Sequence, residues 1–153
     1  ILDATAGLGH DAALFACMGW TTLAIERDPF IATLLAISRE DARRNDDLWS
    51  RLELNLTTKC GDAIELIQNH TSDVIYLDPM FSARRKSSAL PKKPAQVLQA
   101  LAVAGGDIKL LAAARQKAGR VVVKRPHDGP AIEPDPTLVF SGRLVRYDVY
   151  LQQ

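Results

Sequence analysis

The run Asp73-Val74-Ile75-Tyr76-Leu77-Asp78-Pro79-Met80-Phe81 is where the architecture of this chain can be read. Its centre is apolar and rich in β-branched residues, as in a strand buried on both faces of a parallel sheet. Proline has no N–H for the ladder, so Pro79 ends the strand and sends the next residues out above its carboxyl end. Open α/β sheets bind their ligands along that edge. The stretch thus predicts a carboxylate (Asp78), a backbone carbonyl (Pro79) and an aromatic ring (Phe81) arriving together at a site. Such a trio suits a flat base held by its ring face and its exocyclic amine.

Upstream, residues 1–4 read as the end of a first strand, followed by Thr5-Ala6-Gly7-Leu8-Gly9-His10-Asp11 and a helix over 12–18 stopped by Gly19. A second strand, 21–25, ends in Glu26-Arg27, and Asp28-Pro29 supplies an N-cap and first helical residue for a helix to about residue 44. The third strand lies within 51–60, with Gly61-Asp62 at its end and a short helix over 63–68. Downstream the pattern gives a loop (82–93), helices over 96–103 and 108–117, a Val-rich strand (120–124), a proline-rich loop (125–136) and two closing strands (138–140 and 144–151). Asp107 can cap the second of those helices. In the last strand Val145, Tyr147, Val149 and Leu151 alternate with Arg146 and Asp148, which predicts one buried face. The order predicts an α/β fold with a mostly parallel sheet and an antiparallel hairpin at one end.

Composition narrows the class. At 153 residues the chain is one domain, 1–153, and 47% hydrophobic with 24% charged residues is ordinary for a soluble globular protein. Uncharged runs are too short to span a bilayer, and no secretory signal opens the chain. Cys17 and Cys60 lack metal-type spacing and read as free thiols of a reducing, cytoplasmic compartment. His10, His70 and His127 form no metal or nucleophile set, so no metal is expected. Trp20 and Trp49 read as packing residues. Because Ile1-Leu2-Asp3 looks like a strand already in progress, the chain is expected to be a piece of a longer protein lacking an N-terminal segment.

Three constellations carry chemistry. Asp3, Gly7, Gly9 and Asp11 surround a turn into a helix, where backbone amides can face a nucleotide-like ligand. Glu26 ends the next strand, where a carboxylate can accept both hydroxyls of a ribose, and Gly61-Asp62 ends the third, beside a candidate adenine edge. Asp3 and Asp11 offer negative charge to an ammonium or sulfonium. At Asp78-Pro79, two oxygen acceptors would draw a base amine toward a pyramidal nitrogen and stabilise the positive charge it gathers when alkylated. Phe81 would stack on the base. The third constellation is basic: Arg84, Arg85, Lys86, Lys92 and Lys93, joined by Lys124 and Arg125, could hold phosphates flanking that base. The glycine loop alone is also open to a nicotinamide-dependent oxidoreductase, and the basic loop alone to a non-catalytic RNA-binding module.

Asp3-Ala4-Thr5-Ala6-Gly7-Leu8-Gly9, Glu26-Arg27, Tyr76-Leu77-Asp78-Pro79-Met80-Phe81 and Val121-Val122-Val123-Lys124-Arg125-Pro126, in that order, resemble the class I S-adenosylmethionine (SAM)-dependent methyltransferases. More closely they resemble the RsmJ-type ribosomal RNA small-subunit (guanine-N2)-methyltransferases. The resemblance implies a Rossmann-like, seven-stranded sheet with helices on both faces, SAM as cofactor, and methyl transfer to the 2-amino group of one guanosine in small-subunit (16S) RNA or the assembling subunit. Another base amine, such as that of a DNA adenine, is the alternative acceptor. It also implies that His10-Asp11, Glu26-Arg27, the Cys60-Gly61-Asp62 corner and Asp78 line the cofactor site. The chain departs from the family pattern at His10, at Cys60-Gly61 and at Ser82.

Overall fold

The computed structural model describes residues 1–42, 52–79 and 107–152. Their strands are β1 (Leu2–Asp3), β2 (Thr22–Glu26), β3 (Leu56–Cys60), β4 (Val74–Leu77), β5 (Arg120–Pro126), β6 (Leu138–Ser141) and β7 (Val145–Leu151). Helix α1 (His10–Cys17) follows β1, α2 (Pro29–Ala42) follows β2, α3 (Ala63–Gln68) follows β3 and α4 (Asp107–Arg115) precedes β5. One seven-stranded sheet has the order β3-β2-β1-β4-β5-β7-β6. All pairings are parallel except β5 with β7 and β6 with β7. The expected α/β architecture, with its antiparallel hairpin at one end, is the one observed.

Alternation along the strands gives the sheet two apolar faces. Leu2, Ile25, Ile75, Leu77, Val121 and Val123 pack beneath α3 and α4 against Ile67, Leu111 and Ala114. Ala24, the neighbour of Ile25, turns the other way into a smaller cluster with Ala12 and Ala16 of α1 and Leu35 of α2. Tyr76 shares that second face, its ring edge-on to Phe15 at 5.0 Å. Each helix entry is fixed locally. Asp28 accepts from the N–H groups of Phe30 and Ile31 at 2.9 and 3.0 Å, and Asp62 accepts from Ile64 at 2.7 Å. At the head of α1, Gly9 has φ +80°, and a Cβ there would run into the Leu35 side chain of α2. Gly9 is therefore set by backbone conformation and helix packing together.

The chain leaves β1 outward through β2 and β3, then crosses to β4 on the other side of β1. That reversal opens a crevice above the carboxyl ends of β1 and β4. Parallel register then sets who meets whom there: Asp3 lies beside Tyr76, Glu26 beside Cys60 and Leu77 beside Val123. The residues one step beyond Leu77 and Val123 are Asp78 and Lys124.

Some expectations are corrected. The Val-rich strand does not stop at Lys124: Arg125 and Pro126 stay in β5, opposite Arg146 and Val145 of β7, because the antiparallel partner reaches past the end of β4. Asp148 does not face water but is fully buried, held by Arg146 through Nε–Oδ1 and Nη2–Oδ2 bonds of 2.8 and 3.1 Å. Arg146 also donates to the His127 and Gly129 carbonyls, so the loop after β5 is drawn over this charged face. Trp20 is 57% exposed rather than packed. The expected loop over 82–93, the helix over 96–103 and Trp49 lie outside the described residues.

Candidate active site

A cleft of about 650 Å³ lies over the carboxyl ends of the central strands. Its size is that of a nucleotide-type ligand pocket. One end is built by Glu26, Arg27, Asp62, Ala63 and Ile64, and the other by Asp11, Asp78, Pro79 and Lys124, with Asp3 and the loop through Gly7 between them.

Glu26 is fixed before any ligand arrives. Its Oε2 accepts from Gly7 N–H and its Oε1 from Asp28 N–H, each at 2.8 Å. Each oxygen keeps a second lone pair, and the side chain lines the cleft. That is a rigid bidentate acceptor suited to a ribose diol. Asp62 caps α3 with one oxygen at the same end, while Ala63, Ile64 and Ile31 supply apolar surface for a flat ring.

The middle and far end hold an excess of acid. Asp3 is 2% exposed, and the hydrogen bond it receives from Thr5 N–H is 3.1 Å long. Burial pushes its carboxyl up to about 7; the Thr5 N–H opposes this, and the Asp11 and Asp78 carboxylates add to it. Asp11 Oδ2 accepts from the Tyr76 hydroxyl at 2.6 Å and from Lys124 Nζ at 2.7 Å. The same ammonium reaches Asp78 Oδ2 at 3.0 Å. Burial also raises Asp78, against the pull of Lys124. For Lys124 burial works downward, but the Asp11 and Asp78 carboxylates outweigh it and hold the ammonium above its ordinary value. Thr5 Oγ1 accepts from Asp78 N–H at 2.6 Å, fixing the backbone where the strand ends. Three carboxylates share one ammonium here, so the cleft is short of positive charge.

The structure brings Asp3, Gly7, His10, Asp11, Glu26, Arg27, Asp62, Asp78 and Pro79 to one cleft. Gly9 serves the α1 turn behind it. Cys60 and Gly61 do not line it: Cys60 is exposed, and a Cβ on Gly61 would meet Leu66 of α3 at 3.0 Å. Phe81, Arg84, Arg85, Lys86, Lys92 and Lys93 lie outside the described residues. Lys124, read from sequence as a phosphate contact, is turned inward between two acids. Arg125 is buried, and its Nε donates to the Pro130 carbonyl at 2.8 Å, so it supports the following loop instead of presenting charge. Sequence reasoning missed Thr5, Tyr76 and Ile64 as parts of the site. Tyr76 looked like one more core residue, and only the alternation that sends Tyr76 and Leu77 to opposite faces could have marked it.

This strand order, with a glycine turn after β1 and acids at the ends of β1, β2 and β4 and just beyond β3, defines a class I SAM-dependent methyltransferase fold. An RNA methyltransferase from Salinibacter ruber, solved with S-adenosyl-L-homocysteine, shares the fold at a TM-score of 0.60 and 15% identity, over 98% of this chain and 78% of its own. The chain belongs to the family described as "Putative SAM-dependent methyltransferase", whose model matches residues 1–152. A SAM-dependent methyltransferase from Neisseria gonorrhoeae superimposes with a TM-score of 0.78 at 32% identity, over 98% of this chain and 60% of that one. Relatives named ribosomal RNA small subunit methyltransferase J are 41% identical in Tolumonas auensis and 44% identical in Ectopseudomonas mendocina. The alignments cover 99% and 98% of this chain but 62% and 59% of those relatives, so the chain spans about three fifths of their length.

Proposed function

We propose that this chain is the cofactor- and base-binding part of an enzyme that methylates the exocyclic N2 amine of a guanosine in small-subunit ribosomal RNA, free or in the assembling subunit, in the cytoplasm. The observation that carries the reading is Asp78, an acceptor at the tip of β4, opening into the same cleft as the pinned carboxylate of Glu26. The names of the 41–44% identical relatives support the choice of RNA.

The residues fit SAM. Glu26 would accept the ribose hydroxyls, Asp62 and the Ile64 surface would hold the adenine, and the buried Asp3 supplies negative charge for the cofactor's cationic end. When bound, the cofactor supplies an electrophilic methyl group on sulfur; the C–S bond breaks as the C–N bond forms, leaving a neutral thioether. Asp78 and the Pro79 carbonyl would accept the two amine hydrogens and aim the nitrogen lone pair along the cleft. They would also stabilise the positive charge gathering on nitrogen, and the amine proton would then pass to Asp78 or to water. Phe81 would stack on the base for roughly 1–3 kcal/mol, and Arg84, Arg85, Lys86, Lys92 and Lys93 would neutralise neighbouring phosphates.

Two measurements test the reading. Methyl mapping of ribosomal RNA from cells with and without the full-length protein should show one small-subunit guanosine losing its N2 methyl group. Asp78→Asn in the full-length protein should lower the transfer rate on the order of 10²–10³-fold while cofactor binding persists. Identical methyl maps, or full turnover by that variant, would reject it; a mark lost from an adenine instead would reassign the base.

A further inference from the structure

Lys124 was placed by sequence among contacts for RNA phosphates, yet its ammonium is already engaged. The register that sets Leu77 beside Val123 puts Lys124 next to Asp78, and Nζ sits 2.7 Å from Asp11 Oδ2 and 3.0 Å from Asp78 Oδ2. Thr5 Oγ1 holds the Asp78 N–H at the same time. Backbone and carboxylate of Asp78 are thus both tied down, with Oδ2 taken and Oδ1 left over. We propose that Lys124 is a positioning residue for methyl transfer, holding the Asp78 carboxylate ionised and turned so that Oδ1 meets the base amine. The proposal rests on the reading of Asp78 as the amine acceptor.

An acceptor for N–H must be ionised. A protonated carboxyl would present its own O–H to the amine and stabilise developing positive charge far less. Around Asp78 most features favour the proton. Burial does, and so does the carboxylate of Asp11 on α1, itself tied to the Tyr76 hydroxyl of β4; Asp3 on β1, the other acid nearby, is itself raised by Asp78. Opposing them among the described residues are two groups of β5: Lys124 in contact and Arg125 farther off. Even with Lys124 in place Asp78 is raised from its ordinary value, so losing that ammonium removes the main counterweight. An opposite charge at this distance is worth about 1–3 pKa units.

The test uses the full-length protein, with methyl transfer to small-subunit RNA measured between pH 5.5 and 9 for the wild type, Lys124→Met and Lys124→Arg. In Lys124→Met the acid limb of the kcat profile should move up by about 1–2 pH units, so the loss is largest at low pH. KM for the cofactor should change less than about threefold, and Lys124→Arg should return the limb to within about half a unit. A uniform loss at every pH would mean that Lys124 merely ties α1 to the sheet. A loss confined to KM for RNA, with a shallower salt dependence, would make it a phosphate contact. Either result overturns the proposal, as does an unchanged profile. The ¹³C carboxyl resonance of Asp78 gives a second readout without turnover: its titration midpoint should rise by about 1 unit or more in Lys124→Met, and an unmoved midpoint would overturn the pairing. A wild-type protein that methylates no RNA would instead fail the functional reading, with that resonance still judging the pair.

Discussion

Asp148 and Asp3 are both buried carboxylates of the sheet, at 0% and 2% exposure, and they are treated in opposite ways. Asp148 receives two N–H bonds from Arg146, whose Nη1 also donates to the carbonyls of His127 at 2.9 Å and Gly129 at 2.6 Å. Its charge is answered within the fold, and the answering guanidinium straps the loop after β5 onto β7. Asp3 receives one backbone N–H bond among the described residues and faces two more acids. Its charge is left for something else to answer. A buried acid given its own cation is architecture. One that only shares a distant ammonium with two other acids and opens on a cleft is a place for a cationic ligand.

The largest effect should come from breaking the satisfied pair. Arg146→Met leaves the buried Asp148 without its hydrogen-bonded cation and frees the loop carbonyls. Urea unfolding at pH 7 should show a loss of about 3–5 kcal/mol. A loss under about 1 kcal/mol would mean that Asp148 finds water or protonates at little cost, and the contrast with Asp3 would dissolve.

Asp3 should respond with the opposite sign. Its folded-state carboxyl is raised from 3.8 to about 7, so its contribution to stability is full below about pH 4 and is lost as pH rises through about 7. Without cofactor the protein should therefore be less stable at pH 8 than at pH 5. The Asp3 share of that difference is on the order of 3 kcal/mol at most. Asp3→Asn keeps an oxygen for the Thr5 N–H but cannot ionise. It should be more stable than wild type at pH 8 and show a flatter pH dependence, with a residual slope from Asp78, which burial also raises. The same variant should bind SAM more weakly by calorimetry. Stability gained together with affinity lost is the signature of a ligand-directed acid; a variant that loses both would return Asp3 to the structural class.

These two acids also mark how far the sequence could be read. Asp3 was legible as a site residue because it sits beside a glycine turn and at the end of an apolar strand, both local signals. Asp148 looked like a solvent-facing residue, because period-two alternation says which residues share a face but not whether the second face is covered. Its cover comes from the Arg146 side chain and the loop that Arg146 holds, which are long-range consequences of topology. The pairing of Lys124 was hidden for the same reason: a basic residue at a strand end reads as surface charge until the β4–β5 register sets it beside Asp78. Elements with their own punctuation, such as the Asp28-Pro29 start of α2, came through nearly intact.

A third carboxylate completes the comparison at the exposed extreme. Glu133 pairs with Arg115 at 2.6 Å, with side chains 28% and 43% exposed, and this pair also holds the loop after β5, now against α4. Its carbonyl accepts from the Tyr150 hydroxyl at 2.8 Å, and the Arg115 guanidinium lies 5.5 Å from the Tyr150 ring centre. The short distance invites a large energy, but solvent on both partners screens it, and two long side chains must be held still. Arg115→Ala should therefore cost no more than about 1 kcal/mol in urea unfolding, and the cost should shrink at high salt. Comparing it with Arg146→Met separates distance from burial, since the exposed pair has the shorter contact. If the Arg115 variant lost as much as the Arg146 variant, contact length and not desolvation would be setting these energies, and the reading of Asp3 as a charge awaiting a ligand would lose its physical basis.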